Sequence, residues 1–200
     1  MLRDPRAVLD TTLAPVAFVI VYAIAHSVNA AAAVAVAIGV LLMIERLLRR
    51  RPVVNAVGGL LGTGLAAFIA VRSGKAQTFF VPKMLYQVAL AVVFAGSALI
   101  RRPLTGYIIA TLYRATPGWV DLPAVRRVMT EYTLAWALLF GLRAAVYLVL
   151  IEAGRVGALA VASVAMGLPA FGLLLFLGYR YVPKRLEQLG APPPHPEASP

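Results

Sequence analysis

An arginine inside an apolar segment is the residue with the clearest potential for chemistry. Arg143 lies well within residues 131–152, which are otherwise mostly apolar and aromatic. Its guanidinium is permanently charged and donates hydrogen bonds in a planar fork that fits a carboxylate or a phosphate. A charge in such surroundings is costly, so its first interpretation is functional. Two hypotheses follow: Arg143 contacts an anion or a lipid phosphate, or it is a structural arginine satisfied by carbonyls, Gln87 and tyrosine hydroxyls.

Candidate partners for Arg143 come from other apolar segments at comparable depth. No carboxylate of another segment lies clearly at that depth, so an amide or a hydroxyl is the expected neighbour. A guanidinium that extends toward the outer surface is the alternative. The candidate buried polar site comprises Arg143, Gln87, Tyr86 and Asn29.

Other kinds of chemistry find little support in the sequence. There is no cysteine, and His26 and His195 have too few partners to build a metal site. The eight acidic residues are scattered, and no GxSxG, HExxH or P-loop motif is present. We therefore expect no enzymatic activity, no metal and no cofactor.

Long apolar segments must position these polar residues. Of the 200 residues, 61% are hydrophobic, whereas a soluble domain has roughly 45–50%. The excess falls in blocks separated by arginine clusters, which is typical of a polytopic membrane protein. The net charge of +11 sits at the ends of these blocks. Lipid head groups therefore explain the charge better than nucleic acid does.

The apolar blocks predict an all-α fold, a polytopic membrane protein built as a six-transmembrane-helix bundle. A helix needs about 20 residues to cross the hydrocarbon core, and each block approaches that length. The spans are expected at residues 11–27, 29–48, 53–71, 82–100, 131–152 and 156–181.

Three local patterns refine this bundle. Residues 103–116 are too short to cross the membrane and carry Leu104, Tyr107, Ile108 and Leu112 on one helical side, so we predict a short interfacial amphipathic helix between spans four and five. Pro169 predicts a kink in the last span because it has no N–H group. The third span contains glycines at residues 58, 59 and 62, a spacing that favours close helix contact.

The distribution of lysine and arginine predicts the orientation. These residues are enriched in cytoplasmic loops. With six spans, most of the 19 basic residues fall on the side of both termini, and the other side holds only Arg72, Lys75, Lys83 and Arg155. We therefore predict a multi-pass protein of the cell inner membrane with both termini in the cytoplasm.

This orientation divides the chain into three parts. Residues 1–10 are expected to form a cytoplasmic lead, and residues 11–185 the transmembrane domain. Residues 186–200 are rich in proline and are expected to form a disordered cytoplasmic tail.

Several short motifs are distributed over roughly residues 8–185. They are Pro15, Phe18 and Tyr22, then Arg102-Pro103-Leu104, residues 134–140, and Tyr181 with Pro183. Together they resemble the intracellular septation protein A family, and more closely resemble an uncharacterised actinobacterial family of small inner-membrane proteins. The septation family implies a role in cell-envelope integrity and membrane homeostasis, and it supplies no catalytic residues. Arg143 departs from it, because that family has an uncharged polar residue there.

Two functional hypotheses remain open. The first is a non-enzymatic role in cell-envelope or membrane homeostasis through lipids or through envelope or division proteins, with Arg101, Arg102 and Arg114 on anionic head groups of the cytoplasmic side. The second is a small transporter or channel with an anion or lipid-phosphate site near Arg143. No nucleic-acid partner is expected, and the oligomeric state stays open.

Overall fold

The computed structural model describes residues 5–48 and 54–194, and every regular element in these ranges is helical. The predicted all-α fold is therefore confirmed for this part of the chain. Two short 3₁₀ helices, Ala76–Phe80 and Trp119–Asp121, lie between longer ones. The α-helices are α1 (Pro5–Ala25), α2 (Val28–Leu48), α3 (Val54–Ser73), α4 (Val81–Leu99), α5 (Leu104–Tyr113), α6 (Pro123–Glu152), α7 (Val156–Ala165) and α8 (Leu168–Gln188).

Four helical segments of the described chain are long and apolar enough to cross a membrane. They are Val28–Glu45, Ala76–Leu99, Pro123–Glu152 and Val156–Gln188. Shorter apolar helical segments occur at Ala14–Ala25, Val57–Ser73 and Leu104–Tyr113. These findings support a membrane protein and confirm that the segment after α4 is a short apolar helix.

Several predicted boundaries differ from the observed ones. Helix α1 begins at Pro5, inside the stretch expected as a lead, while residues 1–4 lie outside the described chain. Helix α6 begins at Pro123 rather than near residue 131 and has 30 residues. At 1.5 Å per residue it is about 45 Å long, which exceeds a hydrocarbon core of about 30 Å. Its first turns can therefore extend beyond the apolar layer.

The predicted start of the disordered tail, residue 186, is wrong. Helix α8 continues to Gln188, and Leu186 is buried. Beyond the helix, the indole Nε1 of Trp119 donates a hydrogen bond of 2.9 Å to the carbonyl oxygen of Pro192. The apolar contacts of this segment outweigh its proline content as far as Pro192. Residues 195–200 lie outside the described chain.

The kink predicted at Pro169 is observed as an interruption between α7 and α8. Helix α7 ends at Ala165, and α8 begins at Leu168. Pro169 lies in the first turn of α8, where its missing N–H would have had no helical partner in any case. The amide of Phe171 then bonds the carbonyl oxygen of Gly167 at 3.1 Å and starts the new helix.

The chain forms two compact units, and the first comprises Met1–Leu85 with Val146–Ala165. Here α1, α2 and α3 pack as consecutive neighbours through buried alanines, which permit close backbone approach. Phe18 stacks on Phe79 with ring centroids 4.0 Å apart. Among the described residues the glycines of α3 make no close helix contact, because a Cβ at Gly58, Gly59 or Gly62 would meet nothing within 4 Å. The buried alanines are Ala31, Ala32, Ala35, Ala66, Ala67 and Ala70.

The second unit comprises Tyr86–Ala145 with Met166–Pro200. Its core is aromatic and centres on Trp136 of α6. The ring of Trp136 contacts Phe171 of α8 with centroids 4.7 Å apart, and Phe140 contacts Phe94 of α4 at 5.2 Å. Aromatic contacts therefore hold α4 and α8 against α6 within this unit.

Candidate functional site

The stripe that carries Arg143 along α6 is buried, as its helical spacing predicts. Tyr132, Trp136, Phe140, Arg143 and Tyr147 are each less than 10% exposed. The guanidinium-bearing side of α6 therefore faces protein rather than lipid. This placement leaves open whether the protein supplies partners for the charge.

The buried Arg143 has an unsatisfied donor. Only 7% of the residue is exposed, and its Nε atom has no hydrogen-bond partner in the part of the chain that the structure describes. An unpaired charge inside a protein costs several kcal/mol, and an unsatisfied buried donor about 1–3 kcal/mol. The hypothesis of a structural arginine satisfied by carbonyls and hydroxyls therefore lacks the partner that Nε requires.

Gln87 of α4 is the second unsatisfied group. It is 4% exposed, and its Oε1 atom has no hydrogen-bond partner among the described residues. Within residues 5–48 and 54–194, the two residues with such atoms are Arg143 and Gln87, and both belong to the same compact unit. Buried polar groups are normally hydrogen-bonded, so two unpaired atoms in one unit call for an explanation.

The packing of α4 against α6 places these two residues within about one helical turn of each other. Phe94 of α4 contacts Trp136 and Phe140. Nearer the end of α4, Ser97 Oγ accepts a hydrogen bond from the amide of Leu104, the first residue of α5. The amide of the next residue, Thr105, donates to Thr133 Oγ1 in an earlier turn of α6. Later residues of α4 therefore meet earlier residues of α6, and the helices run in opposite directions.

The helical period then sets where Gln87 and Arg143 lie. Gln87 precedes Phe94 by about two turns, and Arg143 follows Phe140 by about one turn. Each residue is on the face of its helix that packs against the other helix. The predicted pairing of Arg143 with Gln87 is thus supported by position, while no hydrogen bond joins the two in the described chain.

The other two residues of the candidate buried site are not buried. Tyr86 is 61% exposed, so its hydroxyl does not contribute to the buried pair. Asn29 is exposed in the first turn of α2 and belongs to the first unit. At this helix start, Ser27 Oγ accepts the bond from the amide of Ala30.

The three arginines predicted to meet lipid head groups are all exposed. Arg101 follows α4, Arg102 precedes α5, and Arg114 ends α5. Arg101 and Arg114 have positive φ angles of 59° and 51°, a conformation usually taken by glycine. The amide of Arg114 closes α5 on the carbonyl oxygen of Ala110.

Helix α5 has one face fixed to the protein and one face free. The Oγ1 atoms of Thr105 and Thr133 are 2.6 Å apart in a buried hydrogen bond, and Gly106 lies close to Met129. On the other side, Ile108 and Leu112 are 53% and 73% exposed. An apolar exposed face of this kind fits a helix that lies in a membrane interface.

A surface cavity adjoins the end of α5. Its volume is about 350 Å³, and it lies between the second half of α5 and the following loop. Arg114 and Asp121 both line it, together with Tyr107 and Trp119. The cavity therefore offers an exposed cation beside aromatic and acidic groups.

Comparison with models of protein families assigns the chain to a family. A family model with the description "Protein of unknown function (DUF3159)" matches residues 4–188. The chain belongs to the DUF3159 family. Comparison with curated proteins and with solved structures found no match. The resemblance to the septation protein A family stays a prediction.

Sequence reasoning missed a polar cluster in the second unit of this DUF3159 protein. Glu131 accepts a 2.6 Å hydrogen bond from the hydroxyl of Tyr181. Two arginines approach the same carboxylate, Arg127 at 3.4 Å and Arg185 at 3.9 Å. The spacing of Arg127 and Glu131 along one helix was a usable signal, since residues four apart are neighbours. The contacts from α8 have no such local signal.

A second missed cluster surrounds Tyr147 in the first unit. Its hydroxyl donates a 3.0 Å hydrogen bond to Ser163 Oγ of α7. The Nζ atom of Lys83 lies 5.7 Å from the centroid of its ring, within the range of a cation–π contact. The structure therefore satisfies this buried tyrosine, in contrast to Arg143.

Proposed function

We propose that this DUF3159 protein is an integral protein of the cell inner membrane with a non-enzymatic role in cell-envelope or membrane homeostasis. It acts through anionic lipids or through partner proteins of the envelope or of division. The observation that carries the proposal is the outward apolar face of α5, with the exposed Arg101, Arg102 and Arg114 at its two ends. The resemblance to the septation protein A family points to the same role.

Six membrane crossings are part of the proposal. The lengths of α1 and α3, 21 and 20 residues, support two crossings beyond the four long apolar segments. Each of these helices is about 30 Å long, close to the thickness of a hydrocarbon core. Helices α7 and α8 together form the last crossing, and both termini lie in the cytoplasm.

The charges around α5 then meet the cytoplasmic leaflet. Anionic lipids give that surface a negative potential, and one basic side chain near it contributes about 1 kcal/mol of binding free energy. A guanidinium also matches the oxygen atoms of a phosphate with two parallel hydrogen bonds. Arginines at both ends of a short apolar helix would therefore hold the helix at the level of the phosphates.

Binding of labelled phosphatidylglycerol in phosphatidylcholine nanodiscs tests this role. We expect neutral substitution of Arg102 or Arg114 by glutamine to weaken binding about fivefold each, which corresponds to about 1 kcal/mol. Arg72→Gln is the matched control, because Arg72 is also exposed but lies at the end of α3. Lipid binding that does not depend on the fraction of anionic lipid in the nanodisc would contradict the proposal.

A transporter or channel is the second candidate function. The unpartnered atoms of Arg143 and Gln87 favour it, as does the interruption before α8. Interrupted helices often line substrate sites in transporters. A flux assay in reconstituted vesicles tests this candidate: anion uptake by the native protein and none by Arg143→Gln would support it. Equal leakage from vesicles with and without protein would remove it.

A further inference from the structure

We propose that Arg143 and Gln87 form an internal site for a phosphate-type oxyanion, either free phosphate or the phosphate of a lipid head group. The site lies between α4 and α6 in the second unit and is distinct from the arginines around α5. It supplies a ligand class for the transport candidate, but binding at this site does not require transport.

The buried guanidinium of Arg143 is incompletely hydrogen-bonded within the described residues. Arg143 is more than nine-tenths buried, and its Nε has no partner in the described chain. The nearest carboxylates on its own helix are too far away to help. Glu131 lies about 18 Å along the helix and already accepts a hydrogen bond from Tyr181, and Glu152 lies about 13 Å away and is exposed. An anion from outside the chain would provide the missing countercharge.

Gln87 of α4 is the second polar residue of the proposed site. It is also more than nine-tenths buried and has an unpartnered oxygen on the face of α4 that packs against α6. A carboxamide presents either its oxygen or its NH₂ group after rotation by half a turn, and the two are assigned from the network around them. Gln87 can therefore donate to an anion that Arg143 holds, or accept from a protonated phosphate oxygen.

The donors of these two residues fit a phosphate group better than a carboxylate. The Nε and Nη atoms of a guanidinium donate two parallel hydrogen bonds to two oxygens of one phosphate or carboxylate. A phosphate group has further oxygens for a second donor, so it can contact Arg143 and Gln87 at once. The aromatic rings of Trp136, Phe140 and Phe94, which pack together along these faces, limit access of water. In such a setting a charge-assisted hydrogen bond is strengthened.

The stability of the full-length protein in detergent provides a decisive measurement. The Tm is measured in sodium chloride, in sodium phosphate of equal ionic strength, and with added phosphatidylglycerol. We expect Arg143→Met to be at least as stable as the native protein in chloride, because it removes an unpaired buried charge while keeping a long side chain. We also expect the native Tm to rise with one phosphate source and the Tm of Arg143→Met to stay unchanged.

Direct titration then measures the contribution of each residue. With inorganic phosphate as the probe, Arg143→Met is expected to weaken binding about 10- to 100-fold, the range for losing a hydrogen bond to a charged group. Arg143→Lys should retain part of the affinity, and Gln87→Leu should lose part of it. A response to phosphatidylglycerol but not to inorganic phosphate would assign the site to a lipid head group, and the reverse would assign it to the free ion.

Three outcomes would overturn the proposal. The native protein could bind neither phosphate source, or Arg143→Met could lower the Tm in chloride or fail to fold, as a structural arginine would require. Equal binding by native protein and Arg143→Met would also exclude the site. Since Arg102 and Arg114 are unchanged in these variants, their nanodisc result can fail or succeed independently.

Discussion

At the scale of single residues, Arg101 and Arg114 occupy backbone positions where glycine is ordinarily preferred. The non-glycine residues with positive φ in the described chain are His26, Arg101 and Arg114, and each follows the end of a helix. A left-handed conformation costs a side-chain-bearing residue about 1–2 kcal/mol, and a cation near a helix C-terminus regains about 0.3–1 kcal/mol. The backbone alone therefore does not favour arginine at these positions.

Glycine substitutions at these positions separate charge from backbone. We expect Arg101→Gly and Arg114→Gly to leave the Tm unchanged or raised, because glycine adopts positive φ without strain. Binding to phosphatidylglycerol nanodiscs should fall about fivefold for each, because one basic group is lost. Arg114→Lys is the control that keeps the charge. A glycine variant with native lipid binding would show that the arginine charge is not used.

Gly178 of α8 is a position where an added Cβ atom would disrupt the packing against α6. A Cβ at Gly178 would clash with the ring and hydroxyl of Tyr132 in α6. Overpacking of this kind costs about 1–3 kcal/mol. We expect Gly178→Ala to lower the Tm, measured by thermal unfolding in detergent.

Gly172 on the same helix is the matched control for Gly178. A Cβ there would meet nothing within 4 Å. Alanine favours the helix over glycine by about 1 kcal/mol, so Gly172→Ala should be neutral or stabilising. Tyr132→Leu removes the ring and hydroxyl that the new Cβ would meet, so Gly178→Ala should lower the Tm much less in that variant than in the native protein. Equal effects of the two alanine substitutions would show that α8 does not approach α6 at Gly178.

At the scale of elements, helical periodicity predicted which face of α6 is buried. This prediction needs only the sequence of α6 itself. The stripe from Tyr132 to Tyr147 follows from 3.6 residues per turn alone. The glycine pattern of α3 did not identify the residues that pack within the chain, because helix contact depends on the partner. Ala66, Ala67 and Ala70 of α3 instead join the same buried cluster as the alanines of α2. Spacing within one segment does not contain that information.

The candidate site shows the same division between local and non-local information. The burial of Arg143 follows from its position in the stripe, and Gln87 was named from its depth. Their lack of partners depends on how α4 and α6 align, which no single segment specifies. The contacts of Glu131 with Tyr181 and Arg185 join residues from distant parts of the sequence, so they were missed for the same reason.

The attachment of α5 to α6 can be tested through its buried hydroxyl pair. Thr105 Oγ1 bonds Thr133 Oγ1, and both hydroxyls lie within hydrogen-bond distance of the carbonyl oxygen of Met129. We expect Thr105→Val or Thr133→Val to cost about 1–2 kcal/mol, because each leaves a buried polar partner. The double variant should cost less than the sum, and a double-mutant cycle by chemical unfolding measures the difference. Additive losses would show that the hydroxyls do not act as a pair.

At the scale of the whole molecule, the number of crossings decides which residues face the cytoplasm. Four long apolar segments are present in the described chain, and the proposal adds α1 and α3. Two models therefore compete, one with six crossings and one with four. Both place the α5 arginines on the cytoplasmic side if the N-terminus is cytoplasmic, so the lipid proposal alone cannot distinguish them.

Single-cysteine labelling distinguishes the two models, and the absence of native cysteine makes it direct. Six crossings place Leu48, Thr116 and Pro193 in the cytoplasm, and Ser73 and Ala153 outside. A cysteine at each position is treated in intact cells with an impermeant maleimide, and again after permeabilisation. We expect Ser73→Cys and Ala153→Cys to react in intact cells and the other three to react only after permeabilisation.

If α1 and α3 do not cross, α2 is the first crossing and places Leu48 outside the cytoplasm. The other four positions keep their sides. Labelling of Leu48→Cys in intact cells would therefore reject six crossings, while labelling of Pro193→Cys there would reject the cytoplasmic C-terminus.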